Sequence, residues 1–344
     1  MEFLLQPPDW WRLNTSLRTL VGARSPSISA YVPAGKEARF LKVLERPPRE
    51  APEEPDTAPV AAALRKALEA HGPVHGTLCL FGWGPDAPEV RSIEVPAKLR
   101  HSYGVAPEPF VGPLRELLEP RCSFVLVQVN HHDATVRRYE GLEVVGQKRV
   151  RSYVERHHKK GGASAGRYQR GQQEQVHQHL VNVRRTLGRF IPGADLILVG
   201  GPGTAKVRFM ELLGAAPAPR ARQVEGMGPT TSGKEFYRLL REALDAFRLD
   251  EEFRFVERAV EGTRAGLLLT DAGGVARALE AGAVEALLVA ADARDVDGVV
   301  ARMVEAAGRS GARVEFITRA EPRARLRRHG EVAARLRYPW KKDS

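Results

Sequence analysis

At 344 residues with 43% hydrophobic side chains, the chain carries enough apolar material for two or three folded cores, which excludes a disordered protein. Its 53 Lys and Arg against 42 Asp and Glu leave a formal charge of +11, which favours an anionic partner such as RNA, DNA or a membrane surface. No apolar run reaches the roughly eighteen residues a spanning helix needs, and Met1–Trp11 is too polar and proline-rich for a signal peptide. A cytoplasmic protein without membrane contact is expected. Cys79 and Cys122 both fall in apolar strand-like runs and read as buried thiols. No cysteine spacing resembles a zinc site, so neither metal nor cofactor is expected.

In chain order, residues 1–20 have the pattern of a short amphipathic helix around Trp10, Trp11, Leu13, Leu17 and Leu20. Ser27–Val32 reads as a strand stopped by Pro33. Five prolines and five acids between Glu45 and Pro59 mark a linker or exposed loop. Val60–His71 is helical by its alanines and leucines. Gly76–Trp83 and Glu89–Val95 are predicted strands joined by a Gly84-Pro85-Asp86 turn. Clustered prolines at Pro107–Pro120 suggest a first boundary, so residues 1–115 form one expected domain.

Phe124–Val129 opens the second segment as a buried strand, and Ala134–Tyr139 and Leu142–Val145 follow as strands around Glu140-Gly141. Arg167–Leu187 reads as one long polar helix. Asp195–Val199 is a buried strand running into Gly200–Lys206, and Phe209–Leu213 is a helical turn. Thr231–Leu249 is predicted to be a helix that resumes toward Arg258 after a break. This segment, 120–258, is the second expected domain. In the third, 262–344, helices at Gly274–Ala281 and Val296–Ser310 alternate with strands at Val284–Ala290 and Val314–Ile317. A short basic helix, Pro322–His329, and a closing strand, Val332–Tyr338, complete it. That alternation predicts a mixed α/β fold with covered sheet faces.

Three stretches invite chemistry and fail on spacing. Gly200–Lys206 lacks the glycine that a Walker loop places directly before its lysine, and Pro202 removes a backbone donor. A strand-to-helix turn is the better reading. His131 and His132 are adjacent on an extended chain and point to opposite faces, while His177 and His179 lie two apart on a helix. Neither pair makes a chelate.

The most informative stretch is Arg156–Arg170. Between Gln147 and Arg170 eight Lys and Arg, at 148, 149, 151, 156, 159, 160, 167 and 170, face one acid, Glu155. In their midst lies Gly161-Gly162-Ala163-Ser164-Ala165-Gly166, a tip with almost no side chains and wide backbone freedom. Cations around such a tip attract phosphates without regard to base sequence.

This basic tip followed by a long helix resembles the Gly-Gly-Gln loop and helix of archaeal and eukaryotic class-1 release factors. Leu198–Lys206 resembles the strand and Gly-Pro-Gly turn of the same central domain, also present in Pelota. Ala281–Val289, Gly311–Ile317 and Gly330–Pro339 resemble the third domain of both. The resemblance covers residues 120–340 well and the first 110 weakly. It implies a three-domain protein of mixed α/β fold, related to the Balon-like or the peptidyl-tRNA-hydrolase-like bacterial branch. The implied function is ribosome binding at the A site in hibernation or rescue; the alternative is peptidyl-tRNA hydrolysis. An RNA-binding module acting off the ribosome is a third class. The implied partners are ribosomal RNA, a P-site tRNA and a translational GTPase such as elongation factor Tu. Arg156, Lys159, Lys160, Arg167 and Arg170 are the implied contacts to ribosomal RNA, with Gly161, Gly162, Ala163 and Ser164 at the tip and Tyr168 placed to stack on a base. Two departures stand out. The family's glutamine position is occupied by Ala163, and no Asn-Ile-Lys-Ser-like stop-codon motif occurs in residues 30–110. No catalytic residue is therefore assigned, and hydrolysis is left open.

Overall fold

The computed structural model describes residues 4–20, 27–45, 57–84, 86–119, 121–154, 165–214 and 220–340, with the side chains of 165–169 excepted. The chain folds as a mixed α/β protein in two compact units, one of Pro120–Phe253 and the other of Phe3–Glu119 with Arg254–Ser344.

The larger unit contains two sheets. In the first, β1 (Ser27–Pro33), β2 (Thr77–Trp83), β3 (Glu89–Val95) and β4 (Ser102–Ala106) pair antiparallel in the order β3-β2-β1-β4. The central strands β1 and β2 are buried at every residue. Ile28, Ala30, Val32, Leu78 and Leu80 pack with side chains from α2 (Glu37–Glu45) and α3 (Ala58–His71). Tyr31, Cys79 and Phe81 point the other way, into a core shared with α1 (Pro7–Thr19) and α4 (Gly112–Leu118). Burial of both faces explains the continuous apolar runs. It also pushes the Cys79 thiol pKa up to about 12, so this cysteine is an inert core residue.

The second sheet has the order β10-β13-β11-β12, built from β10 (Leu268–Leu269), β11 (Val284–Ala290), β12 (Arg313–Ile317) and β13 (Val332–Leu336). β11 and β12 are parallel, while β13 runs antiparallel to both β11 and β10. Helices α8 (Ala272–Glu280), α9 (Val299–Ser310) and α10 (Ala320–Arg327) complete this part. Asp271 caps α8, its side chain accepting from the Gly274 amide at 2.6 Å. The α1 helix joins this core too: the Trp10 ring stacks on Phe316 with centroids 3.7 Å apart.

The other unit is a five-stranded sheet in the order β7-β6-β5-β8-β9. Its strands are β5 (Ser123–Val129), β6 (Asp133–Glu140), β7 (Glu143–Arg151), β8 (Leu196–Gly200) and β9 (Ala221–Val224). β5, β6 and β7 form an antiparallel meander, while β5, β8 and β9 are parallel. Helices α5 (Ala165–Leu187) and α6 (Gly203–Leu213) share one core with Val125, Val127, Ala134 and Val136. The opposite face packs Phe124, Leu126, Tyr139 and Leu198 with Leu240, Leu244 and Phe247 of α7 (Gly233–Glu261).

Several boundaries differ from the sequence reading. The break expected after Leu249 is absent: α7 runs unbroken for 29 residues. No Gly or Pro lies between Leu249 and Arg258 to interrupt the helix. The edge strands β4 and β9 and the helices α2 and α4 were not recognised: each spans nine residues or fewer, which leaves little length for a periodic pattern to register. β7 extends to Arg151, six residues beyond the expected Val145, and β13 ends at Leu336 rather than Tyr338.

Candidate functional site

α5 rises from the stretch the sequence singles out. Val176, Leu180, Val183 and Leu187 recur at helical spacing on one side and are buried against the sheet. His179 lies on the same stripe and is fully buried. Its Nδ1 lies 2.8 Å from the Ser152 hydroxyl, just beyond the end of β7. Ser152 is held a second time, its amide donating to the His132 carbonyl at 2.9 Å. The strand entering the basic segment and the helix leaving it are thus fastened to one another. Burial lowers the pKa of His179 below the usual value of 6.5, so the ring is neutral at physiological pH and suits a hydroxyl partner. His177, two residues earlier, is exposed.

Gln147, Lys148 and Arg149 are all exposed, and from Arg149 to Val154 the chain alternates. Val150 and Val154 pack on the α5 core and Ser152 bonds to His179, whereas Gln147, Arg149, Arg151 and Tyr153 are exposed. Asp133 on β6 sits across from Arg151 in the strand register. Its carboxylate accepts from Arg149 Nε at 2.9 Å and lies 3.9 Å from Arg151. The Arg149 hydrogen bond holds the Asp133 pKa below the usual carboxylate value. Next along the same face, Arg137 donates to the side-chain oxygen of the buried Gln128, whose amide nitrogen bonds to the Gly228 carbonyl.

Of the residues expected to contact RNA, Arg170 is exposed on the first turns of α5. Arg167 and Tyr168 belong to that helix, and their side chains lie outside the described residues, as do Arg156, Lys159, Lys160, Gly161, Gly162, Ala163 and Ser164. α5 begins at Ala165, two residues before the expected start. Sequence reasoning missed His179 as the partner of Ser152 and missed Tyr153 altogether. The alternation at Val150, Ser152 and Val154 held that signal.

Gly200–Lys206 forms a strand-to-helix turn. A Cβ on Gly201 would come within 2.1 Å of the Val129 carbonyl oxygen, so this glycine answers a close backbone approach. Lys206 is buried and its ammonium is 2.6 Å from Glu225. Thr204, Lys206, Glu225 and Thr231 line a cleft of about 1040 Å³ at that end of the sheet. His131 is used locally, its Nε2 lying 3.1 Å from the Thr204 hydroxyl. Among the described residues no three His, Cys, Asp or Glu side chains converge as a metal site, and no helix is long and apolar enough to cross a membrane.

A mixed sheet with a long helix, tied together at the root of a basic, glycine-rich segment, is the arrangement that defines this part of the molecule. Residues 121–251 match the family of the actinobacterial and chloroflexi VLRF1 release factor. Peptide chain release factor subunit 1 of Methanopyrus kandleri is 29% identical over 240 residues, 66% of this chain and 59% of that protein. The matched region thus spans less than two thirds of that relative. The same factor from Aeropyrum pernix is 24% identical, with 95% of this chain and 94% of that one covered. Among solved structures, Archaeoglobus fulgidus Pelota aligns over 99% of this chain and all of its own at 17% identity, with a TM-score of 0.44. The archaeal termination factor aRF1 aligns over 96% and 98% at 20% identity, with a TM-score of 0.39. The relationship rests on the sequence matches. The chain is therefore similar in sequence to peptide chain release factors, most specifically over residues 121–251.

Proposed function

We propose that this protein is a cytoplasmic ribosome-binding factor that occupies the A site in hibernation or rescue without hydrolysing peptidyl-tRNA. The observation that carries the reading is Ala163, a methyl group directly after Gly161-Gly162 where the related factors carry their glutamine. A methyl neither donates nor accepts a hydrogen bond, so it cannot orient an attacking water. The surrounding cations still suit a tunnel lined with phosphates. On this reading residues 1–115 face the decoding side, 120–258 carry Arg156–Arg170 toward the peptidyl transferase centre, and 262–344 meet a translational GTPase such as elongation factor Tu. Lys159, Lys160, Arg167 and Arg170 neutralise ribosomal RNA, Gly161, Gly162 and Gly166 let the tip fit, and Tyr168 stacks on a base.

A second reading, peptidyl-tRNA hydrolysis, is favoured by one observation: the matched relatives are peptide chain release factors. Backbone amides at Gly162–Ser164 would then position the water.

Co-sedimentation with vacant and stalled ribosomes, coupled to a peptide-release assay, separates the two. The expected result is binding without release. Reversing Lys159, Lys160 and Arg167 to Glu should lower the slope of binding against salt by about one unit per lost phosphate contact. Pelleting of that variant as strongly as wild type would remove this segment as the anchor. Failure of the wild type to sediment would leave an RNA-binding module acting elsewhere.

A further inference from the structure

The exposed side of β7 carries a file of side chains that the basic tip does not account for. From Arg149 the alternation continues past β7 to Val154, with Val150, Ser152 and Val154 turned to α5 and Arg149, Arg151 and Tyr153 to solvent. The solvent-facing file reads Gln147, Arg149, Arg151, Tyr153. Successive members are about 7 Å apart, twice the rise of an extended residue. Tyr153 is 82% exposed, and the Arg149 and Arg151 side chains are 54% and 68% exposed. Arg137 extends the cationic surface on the neighbouring strand, opposite Gln147. A single carboxylate, Asp133, answers both Arg149 and Arg151. Its side chain is only 16% exposed, so it fixes the base of the arginine file and leaves the rest open.

We propose that Arg149, Arg151 and Tyr153 form an RNA-binding strip, separate from Arg156–Arg170, in which the two guanidinium groups take phosphates and the tyrosine ring stacks on an unpaired base. Cations with an aromatic in one register are the chemistry of a nucleic-acid strand: charge tracks the backbone and the ring takes any base face. Protection of an edge strand against pairing would require cations along β7, but not an exposed tyrosine in line with them. Ser152 is the device that aims the file. With its hydroxyl on His179 and its amide on the His132 carbonyl, it carries the strand alternation past the last β7 rung and turns Tyr153 outward.

The strip deepens the ribosome reading and rests on it for the identity of the RNA. Its test therefore uses the full-length protein on intact ribosomes and, in parallel, on protein-free ribosomal RNA. Arg149→Gln with Arg151→Gln should lower the slope of log affinity against log salt by about two, while the double Lys variant keeps most of it. Tyr153→Ala should weaken binding about tenfold at every salt concentration, with unchanged slope, and Tyr153→Phe should bind as wild type. Tyr153 is exposed, so its two variants should leave the melting temperature nearly unchanged, whereas the double Gln variant removes both partners of Asp133 and the double Lys variant keeps their charge. A circular-dichroism melt confirms that each is folded at the binding temperature. Wild-type slope and affinity in both the arginine and the Tyr153→Ala variants would overturn the proposal. Loss on intact ribosomes with unchanged binding to protein-free RNA would also overturn it, assigning the strip to a ribosomal protein. A wild type that binds RNA but not ribosomes would refute the ribosome reading alone, and the RNA arm would still decide the strip.

Discussion

His179 holds the strand and helix that flank the basic segment, and its charge state should register in stability. Burial lowers its pKa, with His132 and His131 acting in the same direction and the Asp133 backbone and carboxylate opposing. Because the folded value lies below 6.5, the unfolded chain takes up the proton first as pH falls. The contribution is therefore complete above pH 6.5 and is lost progressively below it. Thermal melts between pH 7.5 and 5 should show a falling midpoint, and His179→Gln, which keeps a polar group beside Ser152 without a charge to gain, should flatten that decline. Equal slopes in the two proteins would contradict this role. Asp133 acts in a lower window: its depressed pKa makes its contribution complete above about pH 4 and lost as pH falls further. Ala163 belongs to the same scale. Restoring an amide by Ala163→Gln should raise peptide release by about two orders of magnitude if the tip reaches the catalytic centre, the usual worth of one positioned polar group. Robust release by the unmodified protein, lost on Ser164→Ala, would promote the hydrolase reading.

Among the elements, β13 occupies a more demanding place than its sequence suggests. Val332, Leu336 and the preceding Gly330 mark a strand, but not that it lies between β10 and β11. Ala333, Ala334 and Leu336 are all about 1% exposed or less. Leu336→Ala should cost about 2–5 kcal/mol, measured by urea unfolding. Ending the chain after Arg328 should abolish cooperative unfolding of the larger unit, since β10 would lose its partner and β11 one edge. Unchanged melting of the truncated protein would sink this account. α10 illustrates the opposite outcome. Its basic sequence suggests a charged surface, yet Arg323 and Arg327 pair with Asp292, and Arg325 pairs with Glu257.

At the scale of the whole molecule, α1 binds the first sheet of the larger unit to the second. Trp10 Nε1 donates to the Leu118 carbonyl at 2.8 Å while its ring stacks on Phe316. Trp11 Nε1 donates to Asp295 at 3.0 Å, and Asn14 and Arg18 donate to the carbonyls of Ala291 and Ala293. Trp10→Ala should cost about 3–5 kcal/mol. Calorimetry should then split one transition into two, as the sheets lose their common core. A single transition at the wild-type temperature would show that α1 is dispensable.

The amino-acid sequence by itself determined the mixed α/β class, most strands and helices, the basic glycine-rich segment and the alanine that follows its Gly161-Gly162 pair. These are local properties: apolar periodicity, glycine and proline placement, and charge density survive without knowledge of neighbours. Only the tertiary structure decided that α1 belongs with two different sheets, that β13 is central, and that the basic α10 is neutralised. It alone showed that Ser152 and His179, 27 residues apart, meet and turn Arg149, Arg151 and Tyr153 to one side. Each depends on which faces are brought together across long stretches of chain, and no local pattern encodes the partner.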